Sequence, residues 1–194
     1  MILDAELILK IFFLVNPLSS IPLLFLAYKK KMDVRKVAVY SVGLAILVAV
    51  LFVFLGPLLF QIYGISIDSF RVAGGVLVFL LGLSMARDQG KSYDHTKPDD
   101  LINIIATPLL TGPATLSFLI ITTAEVGMGA VLVNIVGAFV LVAFLFLLLA
   151  YMLPRINLSY LMFVSRLFGL FLVGLGIEMM VAGLKVLFFG QAVP

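Results

Sequence analysis

The sequence has no cysteine, no tryptophan and one histidine, and only 12% of its 194 residues are charged. Without cysteine there is no disulfide framework, no thiolate metal site and no thiol relay through a membrane. His95 sits in a polar loop with no second histidine to share a metal, so plain solvation is the expectation there. An average soluble domain carries ~25% charged residues, and half that is too little to cover a water-soluble fold of this size. What is present instead is apolar: 63% of the residues are hydrophobic. Runs of about 20 such residues recur, each able to cross a ~30 Å hydrocarbon core as a helix. One membrane domain over residues 1–194 is therefore expected, with no cofactor. Asp4 and Glu6 stand where a cleavable leader would be positive, so the first apolar run is expected to stay in the mature protein.

Uninterrupted apolar stretches predict an all-α membrane fold with six crossings, over 7–27, 37–60, 67–86, 101–124, 129–152 and 161–187. The connection after the first holds Lys29, Lys30, Lys31, Arg35 and Lys36. The connection after the third holds Arg87, Lys91 and Lys97, and that after the fifth holds Arg155. These alternate connections share one side, which the positive-inside rule makes cytoplasmic, with both termini outside. The Lys29–Lys31 run reads as a topology signal touching anionic lipid, and no nucleic-acid partner is expected.

Two stretches repeat. Asn16-Pro17-Leu18-Ser19-Ser20-Ile21-Pro22 and Thr107-Pro108-Leu109-Leu110-Thr111-Gly112-Pro113 both hold Pro-Leu, three residues, then Pro. Arg71-Val72-Ala73-Gly74-Gly75 follows the first as Arg166-Leu167-Phe168-Gly169-Leu170 follows the second. The chain thus divides into repeat one (1–90) and repeat two (99–194). Three helices per repeat give the halves opposite orientation, the inverted plan of many secondary transporters.

Each proline removes an N–H and displaces the carbonyl four residues earlier, so the first and fourth helices are expected to break at mid-membrane. The freed carbonyls would be those of Phe13 and Leu18 and of Ile104 and Leu109. Unpaired backbone in hydrocarbon costs several kcal/mol per group, so such breaks persist where protein, water or ligand answers them. Ser19 or Ser20 could cap a new helix ahead of Pro22, and Thr111 ahead of Pro113, with Gly112 easing the turn. Two partly positive helix starts suit a carboxylate, and freed carbonyls suit an ammonium group. The candidate substrate site is therefore Asn16, Pro17, Ser19, Ser20, Thr107, Pro108, Thr111 and Gly112, and the partner a small zwitterionic solute. Asn103, Thr107, Thr111 and Thr115 recur every four residues, though such groups often only bond neighbouring helices.

Charges inside spans are functional suspects by default. Asp68 and Arg71 can pair at three residues' separation, in an interfacial or a functional role, and Arg166 is the repeat mate of Arg71. Glu178 lies about 18 Å beyond Arg166 by helical rise. It is either a protonatable coupling carboxylate or a glutamate solvated near the outer interface. Gly74, Gly75, Gly82, Gly169, Gly174 and Gly176 are expected to let the third and sixth helices pack closely.

Taken together, Asn16-Pro17 to Pro22, Gly64-Ile65-Ser66 leading to Phe70-Arg71-Val72-Ala73-Gly74-Gly75, and Pro108 to Pro113 resemble the MarC family of membrane proteins, grouped with the LysE-type exporter superfamily. The resemblance spans almost the whole chain and implies six helices and transport of small neutral amino acids such as glycine or alanine. The family tends to have proline where Asn103 stands and alanine where Thr111 stands, so this helix is the more polar. The alternatives are a passive channel or exporter for another small polar solute, and a non-transporting scaffold. Membrane lipid is the other expected partner, and a homo-oligomer stays open. No histidine, cysteine or acidic cluster lies within the spans to supply acid-base or nucleophilic chemistry, so an enzyme is not expected.

Overall fold

Asp4 starts the first helix. Its carboxylate accepts the N–H groups of Glu6 and Leu7 at 2.9 and 3.4 Å, leading into α1 (Ala5–Val15). The Asp4 N–H donates to Asn134 Oδ1 at 2.8 Å, which ties this end of the chain to a helix 130 residues away. A 3-10 turn (Pro17–Ser20) and α2 (Ile21–Lys29) follow, then α3 (Val34–Tyr63), which Asp33 caps. Gly64, left-handed at φ 61°, ends α3, and Ser66 caps α4 (Ile67–Ala86). Beyond these lie α5 (Pro113–Val126), α6 (Met128–Met152) and α7 (Leu158–Phe189). The computed structural model describes residues 3–87, 112–152 and 158–190, apart from the side chains of 19, 21–23, 25 and 158–162. Among the described residues there is no strand.

Among the described residues four helices are long and apolar enough to span a membrane: α3, α4, α6 and the 163–189 part of α7. They lie within a few residues of the expected second, third, fifth and sixth crossings. The expected first crossing is two half-helices joined by the 3-10 turn, so neither half is long enough alone. Of the expected fourth, the described part is α5, a 14-residue apolar helix.

In lipid, water no longer drives helices together, so close packing and small residues decide which surfaces meet. α4 and α7 form the tightest contact. A Cβ on Gly75 would lie 2.7 Å from the Gly176 carbonyl oxygen, and one on Gly176 2.7 Å from that of Gly75. Gly82 and Gly169 stand in the same reciprocal relation at 2.6 and 2.7 Å, and Gly183 faces the Asp68 carbonyl at 2.7 Å. The glycines recur every seventh residue on both helices, and the pairs run in opposite order, so the seam is antiparallel. Gly74 faces elsewhere, toward Ser117 and Ile121 of α5. The seam therefore aligns Gly75 with Gly169, one residue out of step with the alignment drawn from Arg71 and Arg166.

α3 packs on α6 and α5, and α1 packs on α6. Ala45, Ala49 and Val53 of α3 and Ile135, Ala138, Val142 and Phe146 of α6 are buried on one stripe each. Tyr40, Leu47 and Ile62 of α3 and Val140, Phe144 and Tyr151 of α6 are exposed, the outward apolar surface that hydrocarbon would cover.

Candidate functional site

The break after α1 is local chemistry first. The residue before a proline is pushed out of the helical region, and Asn16 precedes Pro17. Asparagine tolerates the left-handed conformation, and Asn16 adopts it at φ 49°, ψ 61°. Its N–H still reaches the Phe12 carbonyl at 3.2 Å, closing the last turn. Asn16 is 1% exposed, and its Nδ2 donates to the Met85 thioether of α4 at 2.8 Å.

The opened backbone is answered from α5. Thr115 Oγ1, itself buried, donates to the Leu14 carbonyl at 3.1 Å. Phe13 and Leu18 were the carbonyls expected from the prolines. Because the helix ends at Val15, Leu14 is the residue whose carbonyl bonds across to α5.

Ser20 stands at the N-cap position of α2, with Pro22 inside the first turn. The expected cap does not form: Ser20 has helical dihedrals, φ −86° and ψ −8°, and its hydroxyl makes no capping bond. The 3-10 turn feeds straight into α2, which leaves no extended residue from which a side chain could fold back. Ser20 Oγ is instead buried with no hydrogen-bond partner among the described residues, and so is Ser41 Oγ on the facing α3. Hydroxyls in membrane helices ordinarily back-bond one turn up, as Thr122 and Thr123 do to Phe118 and Leu119 at 2.8 and 2.7 Å. Two buried hydroxyls that do not are an unspent polar capacity, and that of Ser20 lies just past Asn16.

At the start of α5 it is Gly112 that occupies the N-cap, extended at φ −67°, ψ 171°, with Pro113 entering the first turn and no side-chain cap bond. The N–H groups that open α5 thus have no side-chain cap, and the partial positive charge of a helix start sits there. Asn103, Thr107, Pro108 and Thr111 lie outside the described residues, as does the side chain of Ser19. Pro17 is buried beside Asn16.

The charged candidates lie elsewhere. Arg71 donates to Asp68 at 3.1 Å, as expected, and also to Glu125 at the end of α5, a partner that sequence spacing did not suggest. Its side chain is only 15% exposed, so this bridge pins the start of α4 to the end of α5. Glu178 and Lys10 line a cleft between α7 and α1 together with Phe13, and among the described residues Asn16, Pro17 and Ser20 do not line it. Arg166 is exposed on α7.

Thr115 was visible in the four-residue polar spacing, although its carbonyl partner was not. Ser41 and Met85 carried no signal, being single residues inside apolar helices.

The family model of the MarC family integral membrane proteins matches residues 4–188. A UPF0056 membrane protein of Methanocaldococcus jannaschii, MJ1677, is 30% identical over 193 residues, covering 90% of this chain and 92% of its own. The Escherichia coli UPF0056 membrane protein YhcE is 29% identical, covering 93% and 91%, and YvbG of Bacillus subtilis is 26% identical, covering 93% of each. No solved structure matches the chain.

Proposed function

The chain belongs to the MarC family of integral membrane proteins, and from that premise we propose that it is a secondary transporter of small neutral amino acids working by alternating access. The observation that carries this reading is the buried contact between the interrupted α1–α2 segment and the first turn of α5. α1 ends at Val15, the buried Thr115 bonds the Leu14 carbonyl, and the buried hydroxyls of Ser20, just past the break, and of Ser41 on α3 have no partner among the described residues. Donors at the uncapped start of α5 suit a carboxylate, while serine hydroxyls and carbonyls suit an ammonium group. A site without side-chain charge favours a zwitterion over a net ion.

Six crossings in two inverted repeats complete the proposal. The glycine seam supports it, because Gly75 faces Gly176 as Gly82 faces Gly169, the self-complementary pattern of a two-fold axis. The contacts of α1 with α6 and of α5 with α3 form a matching pair under that axis. On this reading the chain start, the 64–66 connection and the end of α5 share one side, which the Arg71–Glu125 bridge between the start of α4 and the end of α5 supports. The same reading puts Lys29, Lys30, Lys31, Arg35, Lys36 and Arg87 at the other. In a cytoplasmic membrane that second side would face inward. A two-fold related pair of halves has two equivalent ways to close, one open to each side.

The test is uptake of labelled glycine and alanine into proteoliposomes, alongside a thermal-shift screen of the twenty amino acids. Stabilisation confined to small zwitterions, and its loss in Ser20→Ala and Thr115→Val, is the expected result. Flux without accumulation against a gradient would point to a passive channel. Full uptake by both variants would remove the site.

A further inference from the structure

The cleft between α1 and α7 encloses about 360 Å³. Its two ends differ chemically. Lys10 and Glu178 stand at one, and Phe13, Leu170 and Phe171 line the other. Phe13 stacks on Phe171 with ring centroids 5.8 Å apart, which makes the apolar end a preformed wall. Gly174 lies between the ends, and a Cβ added there meets nothing within 4 Å.

That glycine is the informative residue. Gly169, Gly176 and Gly183 on the same helix are needed where backbones touch α4, but Gly174 faces open space. A helical glycine costs about 0.8–1 kcal/mol relative to alanine, and close packing does not account for this one. Its effect is to keep the cleft continuous from the charged end to the apolar end.

Depth follows from the seam. Gly176 faces Gly75, so Glu178 lies level with Ala73, about 9 Å along α4 from its first residue by helical rise. Leu170 is about 12 Å further in. The charged end is therefore the one nearer the start of α4 and the membrane surface there, and the apolar end lies deeper along the helix. Lys10 already bonds Glu6 at 2.7 Å, whereas Glu178 makes no ion pair among the described residues. A cation and an anion side by side match a ligand bearing both signs.

We propose that the cleft between α1 and α7 is a lateral binding site for a zwitterionic phospholipid, with its phosphate at Lys10, its ammonium at Glu178, and an acyl chain along Gly174, Phe171 and Leu170. An anionic lipid would satisfy Lys10 but bring a second negative charge to Glu178. A charged hydrogen bond from a primary ammonium to the Glu178 carboxylate sets the preference. The site is separate from the break at Asn16 and does not depend on the transport reading.

The experiment is native mass spectrometry of the delipidated full chain, titrated with phosphatidylethanolamine or with phosphatidylglycerol of the same acyl chains. The wild type should retain one phosphatidylethanolamine per chain at about tenfold lower concentration than phosphatidylglycerol. Gly174→Leu fills open space, so it should keep its helical signal and lose that adduct. Glu178→Gln lies at an exposed position and should hold the two lipids equally, which serves as the test if Gly174→Leu does not fold. Retention of the adduct by Gly174→Leu, equal affinity for both lipids in the wild type, displacement by free glycine, or a dimer that excludes lipid would each overturn the proposal.

Discussion

Two glycines two residues apart on α7 should respond oppositely to the same substitution. Gly176→Ala puts a Cβ 2.5 Å from the Phe79 backbone nitrogen and 2.7 Å from the Gly75 carbonyl oxygen. Both are main-chain atoms of α4 that no rotamer change can move, so the helices must part by several tenths of an ångström. Forcing a methyl into a closed seam costs about 1–3 kcal/mol, and a gap of that size also forfeits part of the dispersion along the whole contact. Gly174→Ala meets nothing within 4 Å. Each variant gains about 0.8–1 kcal/mol in helix propensity, so that gain cancels when the two are compared. The expected difference in unfolding free energy is therefore about 1–3 kcal/mol, with Gly174→Ala at or above the wild type. Denaturant titration in mild micelles, followed by far-UV circular dichroism, measures it. The double variant Gly75→Ala/Gly176→Ala should lose less than the sum of the singles, since one separation of the axes relieves both clashes. Equal stability for Gly174→Ala and Gly176→Ala would refute the seam.

Thr115→Val removes the donor to the Leu14 carbonyl and should cost about 0.6–2 kcal/mol of stability, while Thr115→Ser should retain most of it, by the same titration. Asn16→Gly keeps the left-handed turn and should fold, whereas Asn16→Leu adds roughly 1–2 kcal/mol of backbone strain and should lower the melting temperature further. Arg71→Gln leaves Asp68 and Glu125 facing one another and should destabilise by about 1.5–3 kcal/mol. Adding Glu125→Gln should recover part of that loss in a double-mutant cycle.

The break at Asn16 was legible because its causes are local: a proline next door, a residue type that accepts positive φ, and no alternative for the backbone. The Asp68–Arg71 pair was legible for the same reason, being one turn apart on one helix. The capping role of Ser20 was misjudged because the sequence cannot say whether a turn ahead of Pro22 is extended or helical. That choice depends on how the 3-10 segment packs beneath Met85 and Leu149, which are 65 or more residues away.

Sequence alone determined that this chain lives in lipid, roughly where its long helices run, and that its first apolar stretch comes apart midway, since hydropathy and proline chemistry act over neighbouring residues. Tertiary structure alone decided which carbonyl Thr115 would reach, that Arg71 would recruit Glu125, and that glycines a heptad apart on α4 and α7 would meet in reciprocal pairs. Those are contacts between residues 54 to 101 positions apart, and without a water-driven collapse to favour one helix face over another, only the fit of surfaces selects them.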